Sequence, residues 1–234
     1  MTIPTAPAAL AEAMAFLLQF ARTARTTGSL VPSGAALSRA LTRHIRPGSA
    51  HRPRAVLEVG PGTGAVTRHL AQRLGPYDTL ELVEANGPFV DHLASALRHD
   101  TRLAAIAHRT RLHHGFVQDQ RLGDYDNIVC GLPFANLPPA QVKAIVGQLL
   151  SSLRPGGRLS FFSYVGGRAG QLLDPGQARS RHVLREAIAP HVVGSEIVLS
   201  NLPPAYVHHL LVPARADCDC GATAPSSRTP ASPA

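Results

Sequence analysis

Short apolar runs of strand length alternate along this chain with longer segments whose apolar positions recur at helical spacing. That alternation builds a parallel sheet covered by helices. Residues 8–27 read as a first helix, with Leu10, Ala13, Met14, Phe16, Leu17, Leu18, Phe20, Ala21 and Ala24 within an arc of about 200° and Arg22 and Arg25 at its edge. GSLVPSG (28–34) breaks that helix, and AALSRALTRHI predicts a second, short one before the loop RPGSAHRPR. The first strand, VLEV (56–59), runs into Gly60, Gly62 and Gly64, and AVTRHLAQRL continues as a helix. DTLELVEAN predicts a second strand ending at Glu84, PFVDHLASALRH a helix, RLHHGFV a third strand, and DYDNIVCGLPF a fourth that stops at Gly131 and Pro133. PPAQVKAIVGQLLSSL opens on proline as helices often do, RLSFFSY is a fifth strand, residues 180–189 a helix, and VVGSEIVL and AYVHHLLV two closing strands. The expected fold is α/β and Rossmann-like, a mostly parallel seven-stranded sheet with an antiparallel edge strand. Residues 1–50 would supply an amphipathic helix and a cover, 51–213 the main domain, and 214–234 a disordered tail poor in apolar residues.

Composition narrows the setting. The 234 residues are 44% hydrophobic, enough for one good core. A net charge of +8 comes almost wholly from arginine, since Lys143 is the only lysine, so nucleic acid and an anionic membrane surface are both open as partners. Three cysteines, Cys130 in a strand and Cys218 and Cys220 in the tail, make no disulfide framework and fit a reducing compartment. No apolar run approaches the roughly 18 residues that span a bilayer, and Glu12 interrupts any leader-like segment. The expected location is cytoplasmic, peripherally associated with the membrane. The first helix either lies in the membrane plane, with Phe16, Leu17 and Phe20 in the acyl boundary and Arg22 and Arg25 at headgroups, or packs on the sheet.

In an open α/β sheet the ligand lies beyond the carboxyl ends of the strands. Strand one ends in glycines that let a ligand approach bare backbone, and Glu58 stands two residues before the first of them. Strand two ends in Glu84, an acid able to accept both ribose hydroxyls of an adenosine. After strand three, a flat ligand ring could stack on Phe116 and meet the Val117 backbone, or Asp119 could reach back to it. Strand four ends in Gly131, Leu132, Pro133 and Phe134, and strand five in Tyr164. His113, His114, His208 and His209 form adjacent pairs that point to opposite faces of their strands, so no metal is expected.

The spacing E-x-G-x-G-x-G resembles the S-adenosyl-L-methionine (SAM) loop of class I methyltransferases, and the chain as a whole resembles the bacterial phospholipid N-methyltransferases. The likeness runs from residue 16 to about 212 through F-x-R and GSLVPSG at Phe20 to Gly34, then LEVGPGTG, LVEAN, CGLPFANLP, LRPGG, FFSY and NLPPAYV. It implies SAM as cofactor, held by Glu58, Gly60, Gly62, Thr63, Gly64, Glu84, Ala85, Phe116, Val117, Gly131 and Leu132 and covered by Leu30. It implies that a lipid headgroup enters beside Phe134 and Tyr164, with Ser33, Pro133, Asn201 and Pro203 on the acceptor side. Gly34 stands where the family has a second serine. The implied reaction carries methyl groups to phosphatidylethanolamine, with ornithine lipid as an alternative acceptor of the same chemistry. An amine of this kind has a pKa of about 10.4 in water, which a drier pocket lowers. Tyr164 is then a candidate for hydrogen bonding or proton removal, and Phe134 with Tyr164 for sheltering the methylated cation. The implied partners are an anionic membrane surface and an amine-headgroup lipid rather than nucleic acid, with the protein working as a monomer. The rRNA adenine dimethyltransferases are similar in pattern, but they carry asparagine where this chain has Gly131 and a helical domain after the sheet. A third class, a degenerate SAM fold that only docks on membranes, predicts binding without turnover.

Overall fold

The computed structural model describes residues 32–164, 175–201 and 204–214. The expected first helix with Phe16, Leu17, Phe20, Arg22 and Arg25 lies outside the described residues, as do Leu30, Pro203 and the tail with Cys218 and Cys220. So does the side chain of Ser33.

Helix α1 (Pro32–Thr42) begins inside the segment expected to be a break, because Pro32 has the backbone angle that a first helical residue needs and Ser38 Oγ donates to Gly34 O at 2.7 Å. Strand β1 (Ala55–Val59), α2 (Ala65–Ala71), β2 (Thr79–Glu84), α3 (Gly87–His99), a single-turn α4 (Thr101–Ala104), β3 (Thr110–His114) and β4 (Tyr125–Cys130) follow. Then come α5 (Pro139–Ser151), β5 (Leu153–Tyr164), α6 (Pro175–Ile188), β6 (Val192–Val198) and β7 (Ala205–Leu211). Strand β5 begins at Leu153, ahead of the expected RLSFFSY, because Gly156 N–H donates to Val212 O at 2.9 Å and Val212 N–H to Gly157 O at 3.0 Å.

The seven strands lie in the order β3-β2-β1-β4-β5-β7-β6. The first five are parallel, and β7 runs antiparallel to both β5 and β6, so the expected antiparallel closure is the pair β6–β7 at one edge. Central β4 is buried at every position and alternates between layers. Ile128 and Cys130 face the side of α5 and α6, and Val129 faces the side of α1, α2 and α3. α1, grouped on sequence with the N-terminal cover, packs Ala40 and Leu41 into that second layer beside α2, and Ile45 joins them from the loop that follows. Two buried aspartates fix the amino ends of the strands. Asp78 accepts from the backbone N–H groups of Gly48, Arg54 and Gly75, and Asp126 from Ala55 N–H, Arg54 and Arg154. Held from below in this way, β1, β2 and β4 end level with one another: Val59 is in register with both Val83 and Cys130.

Candidate cofactor and acceptor site

Three glycines turn the chain out of β1. Gly60, Gly62 and Gly64 have φ of 68°, 56° and 77°, a region costly for residues with a Cβ. A side chain at Gly62 would meet nothing within 4 Å, so open space lies against bare backbone there. Behind the loop, Arg68 donates from Nη1 to Thr63 O at 3.0 Å and Gly64 O at 3.1 Å, while its Nε donates to Asp100 Oδ2 at 2.7 Å. Asp100, held below the usual carboxylate range by Arg68, also caps α4 through Oδ1. Arg68 and Asp100 were missed in sequence; the only signal was the arginine one turn after Gly64.

Glu84 sits where β2 ends. Its Oε2 accepts from Gly62 N–H and its Oε1 from Asn86 N–H, each at 2.9 Å. Burial pushes its carboxyl above the ordinary range, against the pull of these N–H groups, of Ala85 N–H and of His114. A carboxylate has about four lone-pair directions, so two remain for ribose hydroxyls. Glu58 is 2% exposed beneath the loop, and its Oε2 has no hydrogen-bond partner among the described residues. Burial first, and the charge of Glu84 after it, push its pKa up to about 8, with the Thr67 side chain opposing. Glu58 therefore supports the loop from below and does not face the open space.

Beyond β3, Phe116 leaves 37% of its surface exposed, while Val117 is buried and its carbonyl accepts from Gln148 Nε2 at 3.1 Å. Gln148, on α5, also donates to Gln120 O at 3.1 Å and so fixes this turn, a role the sequence did not signal. Asp119 lies on the exposed side of the turn. An open glycine backbone, an acid at the β2 end and an exposed aromatic face at the β3 end together fit a nucleoside cofactor.

At the β4 end, Gly131 N–H donates to Val59 O at 2.7 Å, and a Cβ on Gly131 would stand 2.6 Å from Gly60 O. Leu132 covers Gly60 from the same side, its Cδ2 3.2 Å from where a Gly60 Cβ would be. Pro133 opens a single turn, Phe134–Asn136. Phe134 is not an open aromatic wall: it is 2% exposed and packs edge-on against Phe161 at 5.4 Å. α6 is the reason, since Ser180 Oγ donates to Leu137 O at 2.6 Å and draws that helix over the turn. Phe134 backs the site and gives no ring face to a cation.

Tyr164, half-buried at the β5 end, packs edge-on to Phe162 at 5.2 Å and has its pKa pushed up to about 12 by burial. At neutral pH it is a phenol, so of the two expected roles hydrogen bonding fits and proton removal by a phenolate does not. Its register partner is Ala205, and the buried Asn201 lies in the connection before that strand. His208 and His209 do point to opposite faces: His208 bonds Ser163 at 3.1 Å and Ser195 at 3.0 Å, His209 bonds Ser160 at 2.9 Å and Glu196 at 3.2 Å. Among the described residues no cluster of three metal-ligating side chains occurs.

Residues 57–159 match the family described as "Methyltransferase domain". The ornithine lipid N-methyltransferase of Singulisphaera acidiphila is 27% identical over 142 residues, 61% of this chain and 72% of that protein. Among solved structures, a Burkholderia thailandensis 1,6-didemethyltoxoflavin-N1-methyltransferase with bound 1,6-didemethyltoxoflavin and S-adenosylhomocysteine superposes with a TM-score of 0.61 at 16% identity, covering 91% of this chain and 93% of that one. A methyltransferase from Pyrococcus furiosus gives 0.55 at 13% identity, over 77% and 83%. The fold is that of the class I methyltransferases, and the matched domain indicates a SAM-dependent methyltransferase, with S-adenosyl-L-methionine as its cofactor.

Proposed function

We propose that the protein is an N-methyltransferase acting on the primary amine of a membrane-lipid headgroup, phosphatidylethanolamine or ornithine lipid. The observation that carries the reading is the contact of Gly131 with Gly60. At the position where nucleobase-amine enzymes present a side-chain amide, the 2.6 Å approach to Gly60 O leaves no room for any side chain. A flat, weakly basic nucleobase amine would lose its holding hydrogen bonds, whereas an alkyl amine needs only alignment and a dry site. The similarity to an ornithine lipid N-methyltransferase supports the same class of acceptor.

Bound over the glycine loop, SAM supplies an electrophilic methyl group. Glu84 would then orient the ribose, Phe116 would stack on the adenine, and the Leu132–Pro133 turn and Tyr164 would border the acceptor. Phe134 and Phe161 keep water from the rear of that border. Tyr164 accepts or donates a hydrogen bond at the amine without ionising. The chain's positive charge suits an anionic bilayer, and no described helix is long and apolar enough to cross one. Methyl-labelled SAM with each lipid dispersed in detergent, followed by separation of the lipids, tests the proposal. Label in the headgroup of either lipid supports it, and unlabelled headgroups in both contradict it. An N-terminal test follows: if residues 8–27 hold the protein on the membrane, Phe16→Glu with Phe20→Glu abolishes liposome binding while SAM affinity is kept.

A further inference from the structure

On the face of the sheet carrying α1, away from the glycine loop, a cleft of about 560 Å³ opens between α1 and the edge strand β6. Arg39 on α1 and Arg43 in the turn just after it share its wall with Arg73, which follows the end of α2, and Glu196, Ile197 and Leu199 form the other side. Arg43 is paired, its Nη1 2.9 Å from Glu196 Oε2. Arg39 and Arg73 have no acidic partner within ion-pair distance among the described residues. At the lip, Leu199 is 75% exposed and Ile197 49%. Unpaired guanidinium groups beside bare aliphatic side chains suit a surface that is anionic at one depth and apolar just below it.

We propose that this cleft seats the phosphate of an anionic membrane lipid, with Leu199 and Ile197 entering the acyl boundary beside it. The inference rests on the reading of the acceptor as a membrane lipid and says where the bilayer meets the fold. Local charge agrees: the half-buried His69 is held below the ordinary imidazole value by burial and then by Arg39, Arg73 and Arg102. Position agrees as well. Val198, next to Leu199, is in register with Ala205, which is in register with Tyr164. Two strand spacings, about 10 Å, therefore separate the lip from the acceptor border. RNA phosphates would use the arginines but not the aliphatic lip, and the cleft lining offers no aromatic ring for a base to stack on.

The test is sedimentation of the full chain with phosphatidylcholine vesicles, with and without phosphatidylglycerol, comparing wild type with Arg39→Gln/Arg73→Gln. Two surface charges at about fivefold each predict roughly 25-fold weaker partitioning of the double variant onto the anionic vesicles, with unchanged melting temperature and SAM affinity. Leu199→Ser should weaken partitioning of a protein whose arginines are intact. Equal partitioning of wild type and double variant overturns the cleft, as does a wild type that ignores phosphatidylglycerol. A double variant that loses RNA binding, with no vesicle binding by wild type, assigns the cleft to nucleic acid instead. Methylation of detergent-dispersed lipid by wild type reports on the acceptor without a bilayer, so the acceptor reading and the cleft can fail separately.

Discussion

Gly131 and Gly60 meet backbone to backbone: a Cβ on the first would lie 2.6 Å from the carbonyl oxygen of the second. The ends of β1 and β4 are thereby locked together, and the glycine loop takes its shape from this contact. Gly131→Asn would restore the residue of the nucleobase-amine pattern, but here it must push Gly60 aside. The expected result is a loss of about 1–3 kcal/mol of stability and a clear loss of SAM affinity, read by denaturant melting and calorimetry, with no gain of RNA methylation. A stable Gly131→Asn protein that binds SAM as wild type would show that the contact is soft.

Glu84 should govern cofactor affinity through its charge. Glu84→Gln removes the charged acceptor for Gly62 N–H and for the ribose, and about tenfold weaker SAM binding is expected. Because burial raises the carboxyl's pKa, protonation sets in above the usual carboxylate range as pH falls. SAM affinity of wild type should therefore weaken with acidification earlier than an ordinary glutamate would allow. The variant should lack that dependence.

Glu58 gives a prediction about stability. Its folded pKa of about 8 lies above the ordinary 4.5, so between these values the native state holds a proton that the unfolded state has released. Stability conferred by the neutral acid is complete below about pH 4.5 and declines as pH rises toward 8. Glu58→Gln, which cannot ionise, should raise the melting temperature more at pH 9 than at pH 6. An equal change at both would mean that Glu58 is not buried as a neutral acid.

Tyr164 separates two mechanisms. With a pKa of about 12, about one ring in ten thousand is ionised at pH 8, too few to carry proton removal. Tyr164→Phe should lower kcat about tenfold, by loss of a hydrogen bond at the amine, and leave the shape of the pH profile of kcat/KM unchanged. Loss of the profile's rising limb would identify Tyr164 as the base.

The glycine loop and Glu84 were legible in sequence because a βαβ unit ties them to fixed spacings: a strand must end before a ligand can sit on it, and the next strand ends about one unit later. The order of elements was legible for the same local reasons. What the pattern did not give was which strand ends stay open. Phe134 follows the same motif as an exposed wall would, and its burial depends on α6, which begins at Pro175 and is bonded through Ser180 to Leu137 across 43 residues. Arg68, Asp100 and Gln148 act through backbone carbonyls and one long-range ion pair, contacts that leave no periodic trace. Gly131 was visible as a departure from the asparagine pattern, but only the approach to Gly60 O shows why no side chain stands there.

The central claim is that the acceptor is a lipid amine, and one mixed assay tests it most directly. Protein and methyl-labelled SAM are incubated together with vesicles containing phosphatidylethanolamine and ornithine lipid and with ribosomal RNA, and each fraction is resolved by mass spectrometry. The account predicts label as N-methyl groups on lipid headgroups and none in RNA. Label on adenine, or RNA alone carrying methyl groups while both lipids stay unmodified, would contradict it.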